Sequence, residues 1–214
     1  MAYIISADEL KKTLPGYTPA LSEEFHKRSA QLADKQYQEA LRDRPEKTVL
    51  LMAGGAASGK SEYVSVYLEN KEAIIFDGTL PTLTGAKNKI RAAKRAHKEI
   101  EIHLVVPESF FLAFLVFLNR DRKFDESHFY RTHSNSRKTV LEIAKEFPEI
   151  PITIIWSNYK NAATIASMSF SRLEIDNDHQ DLIEILQTIQ YDEAQIRKIV
   201  EHDAQTSITT FPKE

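Results

Sequence analysis

The sequence predicts an α/β protein, a doubly wound and mainly parallel sheet with helices on both faces, and three observations point to it. Short, largely apolar runs, TVLLMA, AIIF, IEIHLVV and ITIIW, the first without any polar alternation, read as strands covered on both sides. Stretches of helical periodicity separate those runs, which is the strand and helix alternation of a parallel sheet. The 214 residues, 42% hydrophobic and 28% charged, suit one globular core with an added segment and exclude wholesale disorder.

Taken in order, residues 1–16 read as a loosely structured lead. Thr18-Pro19 followed by Ser22 and Glu24 starts a helix that runs to about Arg42, with Phe25, Leu32, Tyr37 and Leu41 on its apolar side. After Arg44-Pro45 comes the first strand, then a helix from about Gly59 to Asn70, a strand Ala73 to Phe76 and a basic helix from about Gly85 to Lys98. A strand Ile100 to Val106 stops at Pro107, and FFLAFLVFL within a helix from about Glu108 to Arg120 is too short for a membrane span, so it reads as buried. A polar stretch Asp121 to His133, a helix from about Ser134 to Phe147 and a strand Ile152 to Trp156 follow. Helical segments from about Asp181 to Gln190 and Asp192 to Gln205 complete the chain. This divides it into a lead and amphipathic helix (1–45), a core (46–178) and C-terminal helices packed on the core (179–214).

Composition narrows the chemistry. A net charge of −3 provides no global positive field for nucleic acid. The absence of cysteine excludes disulfides, thiolate metal sites and thiol nucleophiles. The start, MAYIISADELKKTLPG, has acids and a proline where a secretory signal has a basic start and an apolar run, so a cytoplasmic protein without membrane partners is expected.

The strongest signal follows the first strand. Gly54-Gly55-Ala56-Ala57-Ser58-Gly59-Lys60-Ser61 satisfies G-x-x-x-x-G-K-[ST] in the strand, loop, helix setting that a P-loop requires, so the sheet is expected to be of P-loop NTPase type. Glycines let backbone N–H groups converge on phosphate oxygens, and the following helix presents its positive end to the same charge. Lys60 adds a cation for the β/γ-phosphates, and Ser61 is the expected Mg²⁺ ligand, with ATP or GTP as the nucleotide. Three of the chain's six glycines lie in this loop.

Asp77 ends the next strand, in AIIFDGTLPT, at the sheet edge where ligands bind in open α/β folds. A carboxylate there can hold Mg²⁺ or take a proton from an attacking hydroxyl, and Asp-Gly also closes turns. The polar stretch from Asn119 to Lys123 and on to Lys138 reads as a flap, with Arg131 and Arg137, flanking Ser134, as its phosphate-gripping arginines. The run Lys87, Lys89, Arg91, Lys94, Arg95, Lys98 fits the outer face of a crossover helix or an RNA contact. No histidine pair has zincin spacing and no G-x-S-x-G elbow occurs, which argues against zinc hydrolases and α/β-hydrolases.

Together GGAASGKS, the preceding FHKRSAQLADKQYQEAL, IIFDGTL, VVPESFFLAFLVFLNR and RTHSNSRKTVLEI resemble the zeta toxin family of P-loop kinases, over roughly Leu21 to Asn158. The resemblance implies phosphorylation of a small hydroxyl substrate, such as the nucleotide sugar UDP-N-acetylglucosamine, by ATP or GTP with Mg²⁺, and an antitoxin or regulatory protein as partner. It implies Lys60 and Ser61 at nucleotide and metal, Asp77 as base or metal-side carboxylate, and Arg131 and Arg137 as lid arginines. Typical members place an acidic residue after each of two successive strands, whereas here Asp77 has the spacing of the first and the DGTL surroundings of the second. The other readings are a polynucleotide or RNA-end kinase and a non-enzymatic, nucleotide-gated interaction module.

Overall fold

The computed structural model describes residues 1–159, 168–173 and 179–209. Six strands, β1 (Tyr3–Ser6), β2 (Thr48–Ala53), β3 (Ala73–Asp77), β4 (Glu99–Pro107), β5 (Ile152–Tyr159) and β6 (Met168–Arg172), form one sheet in the order β1-β3-β2-β4-β5-β6. All neighbours pair in parallel except β6, which runs antiparallel to β5. The helices are α1 (Ala7–Lys12), α2 (His26–Asp43), α3 (Lys60–Tyr63, continuing in π geometry through Val64–Leu68), α4 (Leu83–Arg95), α5 (Phe110–Leu118), α6 (Glu126–Glu146), α7 (His179–Thr188) and α8 (Glu193–Thr209).

Side-chain alternation along β2 explains the layering. Val49, Leu51 and Ala53 face one way and pack with buried residues of α2, α4, α6 and α7. Leu50 and Met52 face the other way and pack with Tyr63, Val64 and Leu68 of α3. Both faces are thus covered, as the unalternating apolar runs predict. A third cluster, built on α5, α6 and α8, lies over the loop that follows β2 and includes its Ala56 and Ala57. Among the described residues no helix is long and apolar enough to cross a membrane.

Two expectations change. Residues 1–16 are not a loose lead: Tyr3–Ser6 pair in register with Ile74–Asp77, so the chain start holds an edge strand of the main sheet. The pairing is driven by burial of Ile5, which is fully covered in the core shared with α2. The flap expected from Asn119 to Lys138 is mostly helix, because Asp125 rather than Ser134 is the cap of α6, accepting from the Ser127 N–H at 2.8 Å. Strand β6 adds an element that the apolar runs do not signal. The boundary expected at residue 178 lies outside the described residues.

The topology also positions the site. From β2 the chain crosses to β3 on one side and to β4 on the other, so the carboxyl end of β2 is a switch point, where open α/β sheets bind ligands. If β1 holds the sheet edge, Ile5→Ala costs about 2–5 kcal/mol by urea denaturation, as for a buried isoleucine. The same change at Ile4, which is 40% exposed, costs about 1 kcal/mol or less. Equal, negligible losses at both positions would mean that the segment is not part of the sheet.

Candidate functional site

Residues 54–60, between β2 and α3, are buried, so their backbone polar groups need partners. The carbonyls all find them. The Lys60 ammonium donates to Gly54 O at 3.0 Å and Gly55 O at 2.7 Å. Ala56 O is 2.8 Å from His133 Nε2, Ala57 O accepts from the Tyr159 hydroxyl, Ser58 O accepts from Ser157 Oγ at 2.8 Å and Gly59 O from the Tyr63 N–H at 2.9 Å. The Ala56 N–H is taken by Thr132 Oγ1 at 2.9 Å. Among the described residues the N–H groups of Ala57, Gly59, Lys60 and Ser61 have no acceptor.

Backbone geometry makes that asymmetry possible. Ala57 (φ 57°) and Gly59 (φ 87°) are both left-handed, which turns successive N–H groups toward one concave side, the arrangement that binds anions. At Gly55 the requirement is space: a Cβ there would run into the His133 ring. The loop therefore presents bare donors, together with the first turn of α3, to whatever lies in front of it.

In front of it is a cavity of about 1070 Å³, lined by the loop, the ends of β1 and β3, and the turn after α5. Ser61 Oγ donates to Asp77 Oδ2 at 2.8 Å across its floor, so the structure brings these two expected metal-side residues together. Burial pushes the Asp77 carboxyl above the usual carboxylate range, against the pull of Lys60 and of the Ser61 hydroxyl. Burial lowers the Lys60 ammonium to about 8, opposed by Asp77. Two hard oxygen donors side by side suit Mg²⁺, which keeps several waters and takes the rest of its shell from substrate phosphates. Among the described residues no group of three or more histidine or acidic side chains could hold a metal alone.

The expected lid arginines are not in the cavity. Six positions apart on α6, Arg131 and Arg137 point away from each other. Arg131 is exposed outside the cavity lining, while Arg137 is buried, with its guanidinium 4.7 Å over the Phe110 ring. Arg137 Nη1 donates to His133 O at 2.9 Å and lies 3.2 Å from His133 Nδ1. That contact makes Nδ1 the acceptor, so the His133 proton sits on Nε2 and is donated to Ala56 O. Arg137 thus acts on the glycine loop from behind, through His133.

The arginine that does line the cavity is Arg120, after α5. Burial lowers its pKa, and it lies within electrostatic reach of Lys60, Glu62 and Tyr159. Sequence reasoning placed it inside a charged stretch but had no signal to single it out. It missed Asp8 altogether. Asp8, just beyond β1, lines the same cavity and is within electrostatic reach of Lys60 and Asp77. Although burial opposes it, Arg122 and Lys11 hold the Asp8 carboxyl below its ordinary value.

The basic helix α4 is largely used internally. Lys87 pairs with Glu146, Lys89 with Asp34 at 2.6 Å and Lys94 with Glu149, while Lys98 donates to the Arg44 and Glu46 carbonyls. Comparison with known proteins adds nothing: no family model matches the chain, and no curated protein does.

Because His133 is fully buried and held neutral, its folded pKa lies well below 6.5, chiefly through burial. The unfolded chain then binds the extra proton first, so stability is complete above about pH 6.5 and falls as the pH drops, by up to about 1.4 kcal/mol per pH unit for this residue. Urea denaturation between pH 7.5 and 5 should show the slope, and His133→Gln, which retains an N–H donor, should reduce it, leaving the part contributed by His26, His103 and His128. An unchanged slope would contradict the buried, neutral imidazole.

Proposed function

We propose that the protein is a P-loop phosphotransferase that moves the γ-phosphoryl group of ATP or GTP to a hydroxyl of a small molecule. One observation carries this reading: a loop whose carbonyls are all satisfied within the protein offers bare N–H donors, a clamped lysine and the Ser61–Asp77 pair to a single cavity. That combination favours a polyphosphate with a divalent cation over a neutral ligand.

Each side chain then has a role. The N–H groups of Ala57, Gly59, Lys60 and Ser61 cradle phosphate oxygens, and Lys60 neutralises charge on the β- and γ-phosphates. Ser61 and Asp77 would hold Mg²⁺, which would offset the charge that develops on the transferring phosphoryl group. The Ser61 hydrogen bond favours the metal-side role for Asp77 over that of a base. Arg120, next to the loop, serves the transferring group in the place expected of Arg131 and Arg137. In the step itself the acceptor oxygen attacks the γ-phosphorus, the bond to the bridging β,γ-oxygen breaks, and the hydroxyl proton leaves to a carboxylate or solvent. Asp8 supplies a second carboxylate on the sheet edge, beside Asp77, to orient that hydroxyl.

The experiment is calorimetry with Mg²⁺-ATP and Mg²⁺-GTP at millimolar concentration, followed by turnover. Binding should occur with at least one nucleotide and disappear in Lys60→Ala, which should remain folded. Asp77→Asn should still bind nucleotide but lose turnover on the order of a hundredfold or more. Arg120→Ala should lower kcat steeply where Arg131→Ala does not. A folded wild-type chain that binds neither nucleotide would end this reading.

A further inference from the structure

The cavity is far larger than a triphosphate cradle, and its remaining wall decides what kind of acceptor fits. That wall comes from the chain start, α2, the turn after β3, α4 and the turn after α5, and it holds the half-buried rings of Tyr17 and Phe124, with Phe76 and Phe117 buried beneath it. Its cations are the informative part. Lys12 is held by Glu9 at 2.7 Å, Lys89 by Asp34 at 2.6 Å with its ammonium 4.4 Å from the Phe76 ring centre, and Arg122 by Asp8. Lys11, behind them, is fully buried against Asp8 at 3.3 Å and Phe124.

The imidazoles add no charge here. His26 and His128 pack on Phe124, and desolvation holds both below the ordinary imidazole value, His128 at about 4. Among the described residues, the cavity cations without a carboxylate partner are Lys60 and Arg120, and both lie at the glycine loop. Carboxylates are not neutralised to the same degree: Asp77 and Glu62 face the cavity as well, and among the described residues neither has a cation within ion-pair distance.

We propose, resting on the kinase reading above, that the acceptor is an alcohol carrying no phosphate of its own, a neutral or amine-bearing sugar, cyclitol or nucleoside. A phosphorylated acceptor, nucleotide sugars included, would bring a dianion to a wall whose cations are already paired and whose excess charge is negative. It would have to break an ion pair or remain desolvated without a counter-charge, and either costs affinity. A neutral ring packs against the half-buried Tyr17 and Phe124 without breaking an ion pair, and an amine gains from the negative excess, which includes Glu62.

The test uses the full chain and two measurements. In the first, Mg²⁺ and a non-hydrolysable ATP or GTP analogue fill the loop, and inorganic phosphate or UDP-N-acetylglucosamine is titrated in by calorimetry. No second binding event is expected. Binding that Lys89→Ala or Arg122→Ala abolishes would overturn the proposal. In the second, nucleoside diphosphate release is followed with matched pairs: glucosamine, N-acetylglucosamine, inositol and uridine against their phosphate esters. At least one phosphate-free member should raise turnover above the basal rate and exceed its ester about tenfold or more in kcat/KM. Preference for an ester, or no response to any phosphate-free member, overturns the proposal. Failure of the analogue to bind at all would instead mark failure of the kinase reading.

Discussion

A buried loop that must satisfy its own backbone is the constraint on which this molecule turns. Residues 54–60 carry several peptide groups into the interior, where each unpaired carbonyl would cost about 1–3 kcal/mol. The donors come from α3 (Lys60 and the Tyr63 N–H), from α6 (His133) and from β5 (Ser157, Tyr159). Elements far apart in the chain must therefore converge behind one turn. Once they do, the N–H groups that remain bare have only the cavity to face. The anion affinity proposed for this site would in that sense be a by-product of how the carbonyls are paired.

The support behind the loop is itself under electrostatic tension. Arg137 is buried with Nε and Nη2 lacking partners among the described residues, and burial lowers its pKa to about 9. Its remaining nitrogen fixes the tautomer of His133, and the Phe110 face receives the rest of the charge. A hydrophobic residue could pack there at lower desolvation cost, so the value of Arg137 lies in orienting His133 rather than in stability. The aromatic cluster over the loop, from α5, α6 and α8, shields this arrangement from water.

On the open side, the first strand does what the core does behind. By pairing with β3 it places Ser6 beside Asp77 and carries Asp8 past the sheet edge into the cavity. The Asp8–Arg122 ion pair then ties the chain start to the turn after α5. A second tie is the Lys123 N–H bonded to Pro19 O at 3.1 Å. Two carboxylates, Asp8 and Asp77, thus line the cavity at the sheet edge, one of them supplied from the chain start.

What the sequence determined by itself is local. An apolar run, three glycines, Lys60 and Ser61 lie within one contiguous stretch, so the strand, the turn and the helix start are encoded by neighbours and could be read directly, as could the alternation that makes the sheet parallel. Asp77 was legible for the same reason, because it ends a strand whose direction is set. Tertiary structure decided the rest. Tyr3–Ser6 is too short to declare itself a strand, and only burial of Ile5 against α2 and pairing with β3 make it one, which is why Asp8 went unseen. The choice among arginines depended on where α6 begins and which of its faces meets the core. That starting point rotated Arg131 to solvent and Arg137 into the interior and left Arg120, in the preceding turn, at the cavity. Periodicity and capping act over one or two helical turns, whereas the pairing of distant segments and the phase of a helix against its neighbours are settled only when the whole core packs.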